Sequence, residues 1–317
     1  MTQTLNFKHY SVEIGRGILN KKLPSGFLIT DTNIKELYPD LITRDSFVIS
    51  AGEKSKSLET YSQIVQSIEK KDPETIIALG GGVVGDISGF VASTYKRGID
   101  FIQIPTSLLA MVDSSLGGKN GLNIGKKKNY LGTVYMPKKI IIDLDLLDTL
   151  PEKEFNEGMA EVIKYFFVFG KPSYDLLYDL KKRNMGEVIS ECCRLKSLIA
   201  EQDERDKNVR HTLNFGHTIG HAIELVYGLR HGEAISIGMV KEAELAIKKD
   251  LSTKDKKEKL LTLLKKYDLP TELPANFDKL KVLEIMKADK KGKFIFSVDE
   301  KNHSISISEE EILNILQ

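Results

Sequence analysis

The chain has 317 residues, enough for about two domains of roughly 150 residues each. Hydrophobic residues make up 41% and charged residues 29% of it, which is typical of a globular protein and argues against disorder. The formal net charge of +1 provides no overall basic field, so we do not expect nucleic acid as a partner.

The two cysteines, Cys192 and Cys193, are adjacent in the sequence. Neighbouring cysteines rarely bridge each other, so we expect no disulfide scaffold and a reducing compartment. The N-terminal residues lack the basic start and apolar core of a signal peptide. No apolar run approaches the roughly 18 residues that span a bilayer, and the near-candidate at residues 165–169 is far too short. The sequence therefore predicts a cytoplasmic protein that binds no membrane.

Short runs rich in β-branched residues dominate the first half of the chain. In chain order, the predicted strands are HYSVEIG, FLITD, SFVIS, TIIALG, FIQIP and KKIIIDLD. Between the third and the fourth, residues 57–70 place apolar side chains at helical spacing. Near-continuous apolar strands that alternate with helices are typical of a parallel sheet covered on both faces. We therefore expect an α/β domain with a mostly parallel sheet over residues 1–150.

Helical patterns dominate the second half. The predicted helices are residues 152–169, 173–183, 186–204, 212–227, 233–249 and 256–267. One late hairpin is predicted over residues 293–308, with its turn at residues 299–302. Proline suits the first turn of a helix, so we expect the domain boundary between Leu150 and Pro151. Residues 151–317 should then form a helical domain.

The segment TIIALGGGVVGDISGF joins a predicted strand to a helix through three glycines, residues 80–82. Glycine lets the backbone approach a ligand, and the N–H groups of a helix start attract phosphate. We expect that helix to begin near Gly85, although a tight turn without a ligand fits the same pattern. The next unit repeats the arrangement, with Thr106 and Ser107 at a strand end and Lys119 after a second glycine pair. Ligands of open α/β sheets bind at such strand ends.

Four of the six histidines lie in one short stretch, at His211, His217, His221 and His231. His217 and His221 are four positions apart on one helix face, and imidazoles placed together suit zinc or a similar ion. Histidines with this spacing also serve as hydrogen-bonded core residues. Glu161 is a candidate carboxylate ligand because it shares an otherwise apolar helix with Lys164, where a surface ion pair is the alternative.

Further cationic side chains are candidates for substrate binding, namely Arg97, Lys128, Lys196 and Arg210. Taken singly, each fits a solvated surface position. Together with Lys119 and Lys164, they predict a site for a substrate that carries several negative charges.

Six motifs occur in a characteristic order and spacing: GGGVVGDISGF, RGIDFIQIPTSLLAMVDSSLGGKNGLN, KKNYLGTVYMP, DLDLLDTLP, GMAEVIKY and LNFGHTIGHAIE followed by HGEAISIGMVKEAELA. On these motifs the chain resembles the 3-dehydroquinate synthases, a family of sugar-phosphate cyclases, almost from end to end. The resemblance implies a Rossmann-like N-terminal α/β domain that binds NAD. It also implies an all-α C-terminal domain that binds a metal ion and the substrate.

The resemblance implies roles for individual residues. The residues at the positions of the zinc ligands are Glu161, His217 and His231. Those at NAD-contacting positions are Glu53, Lys56, Gly82, Val83, Val84, Gly85, Asp86, Thr106, Ser107, Asp113, Lys119, Lys128, Leu146, Leu147, Asp148 and Thr149. Those at substrate-pocket positions are Lys119, Lys128, Asn129, Lys164, Lys196, Arg210, Asn214 and His221, joined by one late lysine, Lys290 in preference to Lys291. The family thus assigns His221 to the substrate, whereas helical spacing alone pairs it with His217 as a metal ligand.

The resemblance also implies a reaction and an assembly. The substrate would be 3-deoxy-D-arabino-heptulosonate 7-phosphate, whose carboxylate and phosphate suit a pocket of lysines and arginines. Its conversion to 3-dehydroquinate and phosphate, the second step of the shikimate pathway, uses transient oxidation by NAD, phosphate elimination, re-reduction, ring opening and aldol closure, with Zn2+ or Co2+ as the ion. Arg97 matches an arginine that reaches the substrate of the neighbouring subunit, which implies a homodimer.

Two other classes of function fit parts of the sequence. A related cyclase or a polyol dehydrogenase would use the same cofactor and ion, but a dehydrogenase needs no phosphate-binding lysines and accumulates NADH. A nucleotide sensor could use the same fold without catalysis. Asn129 and His221 favour the synthase over other cyclases, and the presence of every expected polar group argues against the sensor.

Overall fold

The computed structural model describes residues 2–19, 22–125, 127–180, 184–203, 209–290, 294–297 and 304–317. The strands are β1 (Gln3–Asn6), β2 (Ser11–Gly15), β3 (Phe27–Asp31), β4 (Ser46–Ile49), β5 (Thr75–Gly80), β6 (Asp100–Pro105), β7 (Lys119–Ile124), β8 (Lys127–Val134), β9 (Lys139–Asp143), β10 (Phe294–Ser297) and β11 (Ser304–Ile307). The helices are α1 (Thr32–Leu37), α2 (Leu58–Glu69), α3 (Gly82–Thr94), α4 (Glu152–Phe169), α5 (Tyr174–Tyr178), α6 (Met185–Gln202), α7 (His217–Tyr227), α8 (His231–Lys248), α9 (Lys254–Lys266), α10 (Lys279–Lys290) and α11 (Glu309–Ile315). Within these described ranges, no helix combines the length and apolar character needed to cross a bilayer.

Contacts between residues divide the chain into two compact units. The first comprises Met1–Phe155 and Lys182–Leu198, and the second comprises Asn156–Lys181 and Ile199–Gln317. The first unit is therefore built from two separate stretches of chain, whereas the sequence predicts a single domain boundary, between Leu150 and Pro151. The assignment of NAD binding to residues 1–150 and of metal and substrate binding to residues 151–317 stays a prediction.

Side-chain contacts explain why most of α6 groups with the first unit. The hydroxyl groups of Tyr10 and Ser197 lie 2.8 Å apart and share a hydrogen bond. The Cys193 thiol donates to the backbone carbonyl of Met111 at 3.5 Å. Both cysteines are buried and unbridged, as the sequence predicts.

A seven-stranded sheet organises the first unit, in the order β1-β2-β9-β6-β5-β3-β4. All neighbouring strands are parallel except β1, which runs antiparallel to β2. Each strand predicted from an apolar run is confirmed. The core of β5, from Ile76 to Leu79, is buried to 2% exposure or less, as expected for a strand covered on both faces. α2 and α3 pack apolar side chains against this sheet, including Ile64, Ile68 and Ile87.

Helix α3 begins at Gly82, three residues before the predicted start near Gly85. Gly81 is extended and precedes the helix, and the N–H of Gly85 donates to its carbonyl at 3.0 Å, which closes the first helical turn. Glycines lack the side-chain signals that mark a helix start, so the prediction placed the start too late.

A hairpin of β7 and β8, which the sequence did not predict, follows β6. Every described residue of β8 is exposed except Thr133, which is half-buried. The strand therefore lacks the alternation of apolar and polar residues that would identify it. Its register is irregular between Leu122 and Ile124, where a bulge occurs.

The second unit is helical apart from the predicted late hairpin, which β10 and β11 confirm as an antiparallel pair. Phe294 and Phe296 of β10 pack into a core with Ile219, Ile223 and further residues of α7, α8, α10 and α11. The predicted turn at residues 299–302 lies outside the described residues.

Two predicted helices differ from the observed ones. The helix predicted over residues 173–183 is the short α5, and residues 181–183 lie outside the described part of the chain. The helix predicted from residue 212 begins only at His217. Residues 209–214 form a 3-10 turn instead, and Gly216 has a positive φ of 79° that ends it. L residues rarely adopt this conformation, so glycine here separates the turn from α7.

Candidate functional site

Three helices each contribute one side chain to a cluster in the second unit. Glu161 lies within α4, whereas His217 and His231 are the first residues of α7 and α8. The Nε2 atoms of both histidines lie 3.3 Å from Glu161 Oε1. One potential ligand atom from each residue lies within 4.8 Å of the other two. We call these three residues the Glu161 cluster.

The backbone before α7 holds His217 in place. The N–H of Gly216 donates to the Glu242 carboxylate at 2.8 Å, and Glu242 is fully buried on α8. The ring nitrogen Nδ1 of His217 lies 3.0 Å from the backbone carbonyl of Phe215. A carbonyl can only accept a hydrogen bond, so Nδ1 carries a hydrogen, and in the neutral ring Nε2 then keeps its lone pair.

The start of α8 is fixed in a similar way. The N–H of Arg230 donates to the Glu233 carboxylate at 3.0 Å, which caps the helix. The Arg230 guanidinium forms an ion pair with Glu157 of α4. His231 follows directly, and its Nδ1 lies 3.3 Å from Oε2 of Glu224 on α7.

Glu161 is a fully buried carboxylate with a buried cation beside it. Lys164, 2% exposed, lies one helical turn further along α4 and forms an ion pair with it. Burial by itself would raise the pKa of Glu161. Lys164 and the two imidazoles outweigh burial and hold the pKa well below its usual value. Glu161 is therefore ionised and able to act as a ligand. The surface ion pair considered from the sequence does not describe it.

The two imidazoles respond differently to the same surroundings. Burial and the nearby Lys164 ammonium lower the pKa of His217. Burial also favours the neutral form of His231, but hydrogen bonds to Glu161 and Glu224 outweigh it and raise the pKa of His231 to about 10. Two carboxylates thus favour positive charge at this point, as a proton or as a metal ion that displaces it.

The donor set of the Glu161 cluster fits a divalent ion. One carboxylate oxygen and two imidazole nitrogens are ligands that zinc and similar metals accept, and three protein ligands leave a position open for a reacting group. Ligand atoms at about 2.0–2.1 Å from a tetrahedral ion stand about 3.3 Å apart. The distances from Glu161 Oε1 to both Nε2 atoms are 3.3 Å.

His221 lies next to the Glu161 cluster but outside it. Its ring is 5.1 Å from that of His217 between centroids, and its side chain is exposed. It forms a second group of potential ligands with Glu224 and His231, again within 4.8 Å. These two overlapping groups are the ones found among the described residues.

Of the remaining predicted substrate residues of the second unit, the structure describes Arg210 and Asn214 but not the late lysines' side chains. Arg210 and Asn214 lie on the 3-10 turn that precedes α7, and Arg210 is 3% exposed. The backbone N–H of Arg210 donates to Asp203 at 3.2 Å. Lys290 is the last residue of α10, but its side chain lies outside the described part, as does Lys291 entirely.

In the first unit, most of the predicted NAD-contacting segments follow the carboxyl end of a parallel strand. The exceptions are the residues of the β7–β8 hairpin and Asp113. Glu53 and Lys56 follow β4, residues 82–86 follow β5, Thr106 and Ser107 follow β6, and residues 146–149 follow β9. Gly80 pairs with Pro105 in register, and the N–H of Thr106 donates to the Gly80 carbonyl at 3.0 Å. These ends lie at one edge of the sheet, where open α/β sheets bind their ligands.

The N-terminus of α3 has the properties of a phosphate site. Gly81 precedes it, and no side chain among the described residues caps it. A Cβ at Gly82 would lie 3.0 Å from the Ser114 hydroxyl, and one at Gly81 would lie 3.5 Å from the Ser107 hydroxyl. Glycines here let the start of α3 pack closely against these two serine hydroxyls, and the uncapped N–H groups of the helix suit the phosphates of a dinucleotide.

Charged residues surround the same edge. The Lys56 ammonium, 5% exposed, lies 2.6 Å from Asp86 of α3 and 3.6 Å from Glu53. Burial raises the pKa of Asp86, although Lys56 opposes it. On α6, the Lys196 ammonium contacts the Asp113 carboxylate at 2.6 Å and donates to its backbone carbonyl at 2.7 Å. A predicted substrate residue and a predicted cofactor residue are thus directly paired.

At the end of β9, Leu146 and Leu147 are buried, so their backbones rather than their side chains could face a ligand. Asp148 forms an ion pair with Arg16 at 3.1 Å, and the Thr149 hydroxyl lies 2.5 Å from that of Tyr38. Both polar side chains are therefore engaged within the first unit.

The β7–β8 hairpin carries three predicted site residues, Lys119, Lys128 and Asn129, all exposed. Asn129 has a positive φ of 50°. Its backbone N–H donates to Oδ1 of Asn123 at 2.8 Å, and Nδ2 of Asn123 donates to Glu53 at 2.8 Å. The backbone N–H of Asn123 also donates to the Lys56 carbonyl at 2.8 Å. Asn123 thus joins the hairpin to the loop after β4.

Arg97 lies outside these groups, in the 3-10 turn after α3, with an exposed side chain and a positive φ of 66°.

Sequence reasoning missed two residues that organise the site, Asn123 and Glu224. Glu224 had a usable signal, because it follows His217 and His221 by seven and three positions and shares their helix face. Asn123 had none, since its role depends on the bulge in a strand that was not predicted.

Comparison with protein families gives two matches that together cover most of the chain. Residues 46–157 match the family described as 3-dehydroquinate synthase N-terminal, and residues 158–292 match the one described as 3-dehydroquinate synthase C-terminal. A 3-dehydroquinate synthase of Clostridium perfringens is 47% identical over 255 residues, covering 77% of this chain and 73% of the relative. One of Desulforamulus reducens is 38% identical over 328 residues, covering 92% and 91%.

Two solved structures share the fold. One is 2-deoxy-scyllo-inosose synthase complexed with carbaglucose-6-phosphate, NAD+ and Co2+, with a TM-score of 0.88, 23% identity, and coverage of 100% of this chain and 99% of that one. The other is the 2-epi-5-epi-valiolone synthase of Streptomyces hygroscopicus with NAD+ and Zn2+ bound, with a TM-score of 0.82, 24% identity, and coverage of 100% and 98%. At these identities the likeness concerns the fold alone.

Proposed function

Because the chain belongs to the 3-dehydroquinate synthase family, we propose that it converts 3-deoxy-D-arabino-heptulosonate 7-phosphate to 3-dehydroquinate and phosphate, as an NAD- and metal-dependent carbon–oxygen lyase. The observation that supports this most is the Glu161 cluster, in which two imidazoles meet one ionised, buried carboxylate. In this proposal the α/β domain binds NAD, and the helical domain binds the ion and the substrate in the cytoplasm.

When bound, NAD would supply a reversible hydride acceptor, and the Zn2+ or Co2+ ion would supply a Lewis acid that acidifies a substrate hydroxyl and polarises a carbonyl. Glu161, His217 and His231 would hold the ion. The N–H groups at the start of α3, with Thr106 and Ser107, would bind the phosphates of the dinucleotide. Asp113 would lie by the nicotinamide, oriented by the Lys196 ammonium that contacts both its carboxylate and its carbonyl.

The cationic residues would bind the substrate's carboxylate and phosphate, since several cations neutralise what one cannot. They are Lys119, Lys128, Lys164, Lys196, Arg210 and one of Lys290 and Lys291. Asn129 and Asn214 would hydrogen-bond substrate oxygens, and the exposed ring of His221 would donate a proton or a hydrogen bond. The substrate's own phosphate would be the base in the elimination. These residues position the substrate and exclude water, which lowers the barrier without new covalent chemistry.

The proposal includes a homodimer in which Arg97 of one subunit reaches the substrate of the other. What supports it within one chain is that the Arg97 side chain is exposed, on a backbone with the left-handed φ of 66°. We expect the purified protein to sediment at the mass of a dimer. We also expect activity to be recovered when Arg97→Ala subunits are mixed with Lys164→Ala subunits.

The test of the proposed function is phosphate release from the heptulosonate phosphate with NAD and Zn2+ added. We expect release without accumulation of NADH. A build-up of NADH would instead support a polyol dehydrogenase, and bound NAD without phosphate release would support a sensor.

His231→Ala tests the metal role in the same assay. The variant should lose bound metal and turnover together, while its circular dichroism spectrum stays unchanged. Both losses should exceed the roughly 10–100-fold that is typical when a residue hydrogen-bonded to a metal ligand is removed. His211→Ala is the matched control, because it removes a histidine of the same stretch that lies outside both ligand groups. Full activity in a metal-free sample would reject the metal role.

A further inference from the structure

Each histidine of the Glu161 cluster has a hydrogen-bond acceptor on the nitrogen that faces away from Glu161. For His217 the acceptor is the backbone carbonyl of Phe215, at 3.0 Å from Nδ1. For His231 it is the carboxylate of Glu224, at 3.3 Å from Nδ1. The two rings thus direct the same atom, Nε2, to the same carboxylate oxygen.

Glu224 reaches His231 from a different helix. It lies two turns after His217 on α7, and His231 is the first residue of α8. Its side chain is 12% exposed, whereas that of His231 is 29% exposed. The contact is therefore largely shielded from water, where a hydrogen bond to a carboxylate is stronger than at the surface.

We propose that Glu224 is a positioning residue that fixes the tautomer and the orientation of His231 so that Nε2 is available to the divalent ion. The inference rests on the proposed function, because it concerns the ion that the Glu161 cluster would hold. It follows the general rule that a ligating histidine donates its other N–H to a carboxylate or carbonyl. His217 satisfies the rule through the backbone, so Glu224 is the partner that substitution can remove.

An alternative is that Glu224 binds a second ion together with His221 and His231, since these three also lie within 4.8 Å. A neutral imidazole has one lone pair and one N–H. If Nε2 of His231 serves the first ion, Nδ1 carries the hydrogen, and a second ion there would require an imidazolate. The hydrogen bond to Glu224 needs no such deprotonation, so the geometry favours positioning.

The experiment compares metal affinity among wild type, Glu224→Ala, Glu224→Gln and the control Glu244→Gln. Metal-stripped protein is titrated with Zn2+ against a chromophoric chelator, and with Co2+ while its absorption spectrum is recorded. Glu224→Ala should weaken binding about 10–100-fold. Glu224→Gln should lose less, because an amide oxygen still accepts from Nδ1. Glu244→Gln removes a carboxylate of α8 that pairs with Lys241 and Lys257 and lies outside both ligand groups, so it should change affinity less than about two-fold.

At saturation every variant should bind one ion per chain with the wild-type Co2+ spectrum. Wild-type affinity in Glu224→Ala would overturn the positioning role. Two ions in wild type and one in Glu224→Ala would overturn it as well, because Glu224 would then be a ligand. Glu224→Gln is nearly isosteric, so the comparison survives if the alanine variant does not fold. Failure of the wild type to bind any ion would count against the proposed function, whereas the other two outcomes would leave it intact.

Discussion

A methyl group at position 238 has no space where α8 crosses α7. A Cβ on Gly238 would lie 2.0 Å from the backbone oxygen of Gly216 and 2.9 Å from the backbone nitrogen of Gly220. Both atoms belong to backbone rather than to flexible side chains, so neither can rotate away. Gly216 also precedes His217 directly, which couples this crossing to the Glu161 cluster.

The magnitude of a Gly238→Ala substitution follows from this distance. Ordinary contact begins near 3.4 Å, so the Gly216 carbonyl must move by roughly 1.4 Å. Overpacking of this kind costs about 3 kcal/mol or more, and alanine returns about 1 kcal/mol through its higher helix propensity. We expect a net loss of about 2 kcal/mol in the free energy of unfolding, or roughly 4–8 °C in Tm. The same displacement moves His217, so Zn2+ affinity should fall by about ten-fold or more.

Thermal unfolding of metal-free protein and Zn2+ competition titration measure the two effects. Gly186→Ala on α6 is the control, since its Cβ would meet only the flexible end of Leu144, at 3.2 Å. It should leave Zn2+ affinity within about two-fold of wild type and Tm unchanged or raised by up to about 4 °C, because alanine has the higher helix propensity. An unchanged or raised Tm in Gly238→Ala would refute the close crossing. A lowered Tm with unchanged affinity would refute its coupling to His217.

Two more predictions concern hydrogen bonds away from this crossing. Asn123→Ala removes the amide that holds Glu53 and the N–H of Asn129, so Kd for NAD and KM for the substrate should each rise about five-fold, at roughly 1 kcal/mol per hydrogen bond. Isothermal titration and steady-state kinetics measure these values, and no change in either would contradict the joining role of Asn123. A hydrogen bond from Lys249, and to a smaller extent one from the backbone of Ser308, lower the pKa of Glu311 from 4.5 to about 2. The folded pKa is below the unfolded one, so this stabilisation is present above pH 4.5 and lost as the pH falls toward 2. Glu311→Gln should therefore reduce the loss of Tm over that interval, and equal slopes in both proteins would rule out the pair as a contributor.

The parallel sheet could be predicted from the sequence because its strands are buried on both faces. β5 and β9 appear in the sequence as continuous apolar runs, and no competing pattern exists for them. β8 could not be predicted in this way. Its residues are exposed, and its strand conformation depends on pairing with β7, which periodicity in one segment does not report. Lys128 was therefore a candidate by its charge and Asn129 through the family resemblance, without a strand to place either.

Helical spacing alone does not predict the Glu161 cluster. Spacing within one helix relates His217 to His221, whose rings are indeed adjacent. The buried carboxylate is reached instead by the first residues of two different helices, His217 and His231. Gly216 is the residue before α7 and Arg230 is the residue before α8. They therefore determine where each helix begins and where its first side chain lies. The relation between the two starts is set by how closely α7 and α8 cross at Gly238, and such an interhelical distance leaves no period in the sequence.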